Sequence, residues 1–394
     1  MWKIRKIGRI LSFIVSGVML LTIKVRAAED VGNSAEQSNK PPVEIAARAA
    51  VLMDASTGKV LVHYHENDRL YPASVTKIMP LLLVGEALDS GKIKMTDMVV
   101  ASAAAAGKGG SQIWLKEGET MTVEELVKAA AIYSANDACC ALGEHLAGSE
   151  EGFVRQMNER AQELGMTNTN FVNCTGLDDD TTEHLTTALD IAIMSRELLK
   201  HDSVVKYCTV WMDSLRDGAT ELVNTNRLVR FYEGATGLKT GTTSKAGCCV
   251  SASAKRGETH LIAVVMGSGN SNDRFETAKR LLSWGFANYA TVTPSLPPSL
   301  ITPVRVLRGE EQWIQPVAAL MPILVPKGSE GDLQLSVDLR LDVQAPVEAG
   351  QILGKVIVTL DGEILDEYPL TAPNAVKELA YVTVLKRLLA ALIS

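Results

Sequence analysis

Four prolines fall within ten residues, PSLPPSLITP at 294–303. Each fixes φ and removes a backbone donor, so neither a helix nor an interior strand can run through this stretch. The chain is therefore expected to fold as two bodies joined here. Before the break, apolar runs at 46–53 and 59–64 flank Ala55-Ser56-Thr57-Gly58 and read as a hairpin. Helical periodicity dominates from Ser74 to about residue 200, and Thr122-Val123-Glu124-Glu125 forms a capping box. Strand pattern returns from 236 to 267, with a second hairpin about Arg256-Gly257-Glu258, and a helix follows from Asp273 to about Tyr289. The order strands, helices, strands, helix predicts an α/β (α+β) domain over 45–292 whose sheet draws on both ends of the segment. After the break, TPVRVL, LQLSVDL and GKVIVTLDGEILDEYPL, with Asp361-Gly362 as a hairpin turn, predict a small all-β domain over 300–371.

The two ends differ from this body. Lys3, Arg5, Lys6 and Arg9 precede the apolar stretch Ile10–Ile23, and Val25-Arg26-Ala27 supplies small residues where a signal peptidase cuts. Residues 1–27 read as a secretory signal and 28–44 as a polar linker, so the body is expected to be exported. The apolar run is short for a membrane span of ~20 residues. At the other end, residues 374–394 read as a helix. From Tyr381 onward Leu385, Leu388, Leu389, Leu392 and Ile393 share one side, and Thr383, Lys386, Arg387 and Ser394 share the other. That is the pattern of a helix lying in a membrane surface. Glu378 breaks it in the first turn, and Lys386 and Arg387 exclude a spanning helix.

Composition removes some function classes. A formal charge of −7 argues against a nucleic-acid partner, which calls for a basic face. The six cysteines include the adjacent pairs Cys139-Cys140 and Cys248-Cys249, and neighbours rarely bridge each other. They read as small buried residues, and no spacing supports zinc. The six histidines offer neither a serine–histidine–acid order nor a metal pair and read as surface or loop residues.

Ser74 and Lys77 in YPASVTK stand three apart, on one helical face. A serine hydroxyl needs a base within reach, and a lysine serves only once its proton is pushed off by burial or a neighbouring cation. The spacing alone is weak: Ser56/Lys59 lies across a turn, and Ser203/Lys206 matches by chance. Two further motifs follow in order, Ser134-Ala135-Asn136 and Lys239-Thr240-Gly241. Ser-x-x-Lys, Ser-x-Asn and Lys-Thr-Gly together are the set of penicillin-binding proteins and β-lactamases.

With the contexts YPASVTKIMP, SANDA, GLKTGTTSKAG and MGSGNSNDRFETAKRLLSWGF, the chain resembles the low-molecular-mass penicillin-binding proteins, the serine D-alanyl-D-alanine carboxypeptidases, from about residue 43 to its end. The subgroup from sporulating bacteria looks nearest. The resemblance implies a β-lactamase/transpeptidase-like domain, with an antiparallel sheet flanked by helices, before the all-β domain. It implies that Ser74 is the nucleophile, Lys77 its base and Ser134 a proton relay to the departing D-alanine. Asn136 would bind substrate backbone, and Lys239 and Thr240 its terminal carboxylate. Gly241 would let the strand approach, and the N–H groups of Ser74 and Thr242 would form the oxyanion hole. Arg227 in NTNRL matches an arginine facing the cleft. Thr242 stands where relatives often carry histidine or an aromatic, and Leu189 where they usually carry arginine. The implied substrate is the stem pentapeptide of peptidoglycan, with β-lactams as covalent inhibitors, the membrane surface as partner of the terminal helix and no cofactor or metal. The implied location is the outer face of the cytoplasmic membrane. A serine β-lactamase and a non-catalytic penicillin sensor are the alternatives. FVNCTGLDDDTTEH (171–184) offers no assignable glutamate for the first, and complete motifs argue against the second.

Overall fold

The computed structural model describes residues 41–393. The expected signal, and the linker up to residue 40, lie outside the described residues. Five antiparallel strands form the central sheet: β1 (Ala49–Asp54), β2 (Val60–Tyr64), β3 (Ala235–Thr243), β4 (Gly247–Arg256) and β5 (Thr259–Ser268), in the order β2-β1-β5-β4-β3. β1 closes on β5, so both ends of the helical segment meet in one sheet.

Every residue of β1 is buried, as expected of a strand covered on both faces. Its alternate side chains enter two cores. Ala49, Val51 and Met53 join the helical segment, including α1 (Ile78–Asp89), α2 (Asn136–Ala147), α3 (Glu150–Glu163) and α4 (Ala188–Leu198). Ala50 and Leu52 meet Phe275, Leu281 and Leu282 of α5 (Ser271–Asn288). Full burial of each Val, Leu, Met or Phe among them contributes roughly 1.5–3 kcal/mol. At Gly285 the helix lies so close to the sheet that a Cβ would meet Leu261 Cδ1 at 2.5 Å. The capping box forms as read, with Thr122 Oγ1 accepting from Glu125 N.

The proline-rich stretch is not where the sheets part. β6 (Tyr289–Val292), before it, pairs antiparallel with β7 (Ile323–Pro326), after it. Ala290 accordingly packs with Val325, Val356, Val358 and Leu370 of the C-terminal β region. Thr291 also ties this strand to the first sheet, donating from Oγ1 to Asp54 Oδ2 at 2.9 Å. Beyond it, β8 (Gln334–Leu339), β9 (Ile352–Leu360) and β10 (Glu363–Thr371) form a meander. Asp361 (φ 52°) and Gly362 (φ 83°) make the left-handed turn between β9 and β10.

The terminal helix, α6, runs Tyr381–Ile393 and does not begin at 374. Val376 instead bridges to Val347 and Glu378 to Gly309, which explains why Glu378 broke the helical pattern. Tyr381, Val382, Leu385 and Leu389 are exposed. Among the described residues no helix is long and apolar enough to cross a membrane.

Candidate active site

Ala73–Lys77 is a single 3₁₀ turn leading into α1. Ala73 is left-handed at φ 50°, backbone strain held by tight packing on two sides. On one side a Cβ at Gly176 would meet Ala73 O at 1.9 Å. On the other, a Cβ at Gly241 would meet Ser74 N and Pro72 O, each at 2.8 Å. The glycine of Lys-Thr-Gly is thus needed for the approach of β3, the sheet's edge strand, to the serine turn.

Inside the turn, Lys77 Nζ lies 3.0 Å from Ser74 Oγ and donates to Thr175 O at 2.8 Å. Lys77 is fully buried while Ser74 stays partly open. Burial lowers the Lys77 pKa to about 8, against weaker support for its charge from Cys139, Cys174 and Asp137. Lys239 is also buried and donates to Thr240 O at 3.0 Å. Its pKa is lowered well below the usual lysine value, first by burial and then by repulsion from Lys77. The two buried amines are therefore close enough to repel each other, and burial is the first cause of the lowered pKa of each.

Ser134 is left-handed at φ 68°, at the end of a π turn (Ala129–Tyr133) that breaks the helical run just before α2. Asn136 opens α2, accepting no bond at its buried Oδ1 and donating from Nδ2 to Gly109 O at 2.7 Å. Thr225 joins the second and third motifs: its N–H donates to Ile132 O at 3.2 Å and its Oγ1 accepts from Thr240 at 2.7 Å. Arg227, two residues on, is exposed and lines a pocket with Phe231, Phe275 and Lys279.

Other groups here were not singled out from the sequence. Arg274 of α5 is buried and donates to Gly241 O and Thr242 Oγ1, each at 3.0 Å, and to Cys249 O at 3.2 Å. Its Nε has no partner. Arg274 lies within the quoted run MGSGNSNDRFETAK, but periodicity there reads only as helix. The loop at 172–183, searched for a glutamate, acts through a backbone carbonyl and through the Asp178 carboxylate. Thr175 O holds Lys77, and Asp178 accepts from Thr243 Oγ1 at 2.6 Å.

His184 corrects the expectation that the histidines are surface or loop residues: it is fully buried. Its Nδ1 accepts from Val172 N at 3.0 Å, which leaves Nε2–H to donate to Thr76 Oγ1 at 2.8 Å. Burial and then the charge of Lys77 push its pKa down to about 4. A neutral histidine thereby pins the loop to the serine turn. All six cysteines are free and buried. Cys139 Sγ donates to Cys174 O at 3.2 Å, and Cys174 Sγ to Glu150 Oε1 at 3.3 Å. Cys140, Glu150 and Cys174 bring their donor atoms together, with Lys108 paired to Glu150.

The arrangement supplies a half-open hydroxyl, an amine poised near neutrality against it, and a second amine beside a strand edge. Such a set of groups is chemically suited to acyl transfer through the serine hydroxyl. Comparisons with known proteins agree. The family described as D-alanyl-D-alanine carboxypeptidase matches residues 34–270, and the one described as penicillin-binding protein 5, C-terminal domain, matches 299–378. D-alanyl-D-alanine carboxypeptidase DacF of Bacillus subtilis is 42% identical over 386 residues, 96% of this chain and 97% of that one. Penicillin binding protein 5 from Haemophilus influenzae superposes with a TM-score of 0.75 at 34% identity, covering 86% of this chain and 99% of that one. Penicillin-binding protein D2 from Listeria monocytogenes, solved in an ampicillin-bound form, gives 0.57 at 30% identity over 62% of this chain and all of that one (100%).

Proposed function

Given that the chain belongs to the D-alanyl-D-alanine carboxypeptidase family and is a serine-type penicillin-binding protein of that activity, we propose that Ser74, Lys77 and Ser134 carry its chemistry. The substrate is the peptidoglycan stem pentapeptide. The observation that carries this is the 3.0 Å approach of a fully buried Lys77 amine to Ser74 Oγ.

Neutral Lys77 takes the Ser74 proton as Oγ attacks the penultimate D-alanine carbonyl. The developing oxyanion sits between the N–H groups of Ser74 and Thr242, and each donor is worth roughly 3–4 kcal/mol in comparable enzymes. Ser134 passes the proton to the leaving amine of the terminal D-alanine. Water then hydrolyses the ester, with Lys77 again as base. Lys239 and Thr240 hold the substrate's terminal carboxylate, which supplies Lys239 with the anion its burial otherwise denies it. Asn136 binds the peptide backbone, and its unpartnered Oδ1 suits a substrate N–H. Arg227 adds positive charge that favours the substrate carboxylate, and Arg274 holds the Gly241–Thr242 backbone in place. β-Lactams acylate the same hydroxyl, their strained amide standing in for the dipeptide.

The protein is exported, 45–292 forming the catalytic domain and 300–371 the β domain. The exposed apolar residues of α6 support attachment to the outer face of the cytoplasmic membrane. Purified protein incubated with diacetyl-Lys-D-Ala-D-Ala tests the activity: release of D-alanine is expected, and its absence with intact penicillin labelling indicates a sensor. Ser74→Ala should abolish labelling by fluorescent penicillin.

A further inference from the structure

Trp114 is 77% exposed, on backbone at φ 59°. A single exposed aromatic needs no explanation, but a bulky residue in the left-handed region is an outlier that the surrounding structure must enforce. The enforcement is visible. The N–H groups on either side, of Ile113 and Leu115, both donate to the buried carboxylate of Asp137, at 3.2 and 3.0 Å. Arg216 Nη1 donates to Ile113 O at 2.9 Å. The peptide units flanking Trp114 are thus clamped, and its indole is held outward.

The clamp is continuous with the candidate active site. Asp137 follows Asn136, whose backbone N–H donates to Ser111 O at 2.7 Å and whose side chain donates to Gly109 O, both in the same loop. Around Trp114 lies a depression of about 450 Å³ lined by Lys116, Glu117, Gly118, Glu119 and Arg216. Two cations face two carboxylates, and Arg216 Nε is bound to Glu119 Oε1 at 2.8 Å. An apolar face inside a charge-balanced, donor- and acceptor-rich rim suits a neutral, hydroxylated ring better than an anion or a lipid headgroup.

We propose that Trp114 is a stacking platform for a pyranose ring of the glycan strand from which the stem peptide hangs. The inference rests on the stem peptide being the substrate. The C–H face of the sugar lies on the indole, and its hydroxyls meet the charged rim.

The test compares wild type with Trp114→Ala, Trp114→Gly and Trp114→Phe on diacetyl-Lys-D-Ala-D-Ala and on a disaccharide pentapeptide. The glycine variant deletes the ring while relieving the backbone. Both ring-deleted variants should raise KM for the disaccharide substrate about five- to tenfold, with kcat retained and the short peptide unaffected. Trp114→Phe should keep most of the affinity. Equal losses on both substrates would reassign Trp114 to holding the Asn136 loop and overturn the platform, as would no loss on either. Wild type inert on both substrates would instead sink the carboxypeptidase reading, and this inference with it.

Discussion

A Cβ placed on Gly241 would stand 2.8 Å from the backbone nitrogen of Ser74. The edge strand thus lies directly against the N–H that we propose faces the reacting carbonyl. Gly241→Ala must push the strand or the serine turn by several tenths of an ångström and misalign the oxyanion donors. Acylation by fluorescent penicillin should slow roughly a hundredfold, the cost of one such donor. The stability of the same variant to thermal unfolding should also fall, by roughly 1–3 kcal/mol, because the added Cβ meets the backbone of Pro72 and Ser74, which cannot yield as a flexible side chain would.

The base works only when neutral. With the Lys77 pKa lowered to about 8 by burial, roughly a tenth of the amine is neutral near pH 7. The acylation rate should therefore rise with pH through about 8 and level off above it. A stopped-flow pH profile checks this, and a profile flat between about pH 6 and 9 would contradict it.

Lys239, held below the usual lysine range by burial and by Lys77, should have its pKa raised when a carboxylate docks. Binding of diacetyl-Lys-D-Ala-D-Ala to Ser74→Ala, followed across a pH series, should then take up protons over the range in which free Lys239 titrates. Calorimetry in buffers of different ionisation enthalpy measures the uptake. A substrate amidated at its C-terminus should show no uptake.

The loop's contribution to Lys77 is a backbone carbonyl, so the side chain at 175 matters less than the glycine after it. Thr175→Ala should cost about 1 kcal/mol for its bonds to Asn173 and Leu177 and keep activity. Gly176→Ala places a Cβ 1.9 Å from Ala73 O at φ 87° and should destabilise by more than about 2 kcal/mol while also losing acylation. Denaturant melts and penicillin labelling separate the two outcomes.

If the proposed anchoring holds, removing α6 by deleting residues 381–394 should move the protein from the membrane to the soluble fraction. Its exposed Tyr381, Val382, Leu385 and Leu389 have no other cover among the described residues. Retention at the membrane would show that this helix is not the anchor.

The helix, strand and turn pattern, the capping box at Thr122 and the Asp361-Gly362 turn were legible in the sequence, because each depends on neighbours within a few residues. So was the Ser74/Lys77 pairing, which one turn of local backbone creates. The carboxypeptidase family was legible too, from three short motifs in order. Several features were not. The pairing of β6 with β7 crosses the prolines, the carbonyl of Thr175 reaches Lys77, buried Arg274 grips the Gly241–Thr242 backbone, and His184 pins the loop to Thr76. These contacts join residues far apart in the chain, and they act through backbone atoms or through burial that no local pattern encodes. Local chemistry in the sequence settled which groups could react. Only tertiary packing, by excluding water from Lys77 and Lys239 together, lowered the pKa of both, because desolvation depends on everything that surrounds a charge.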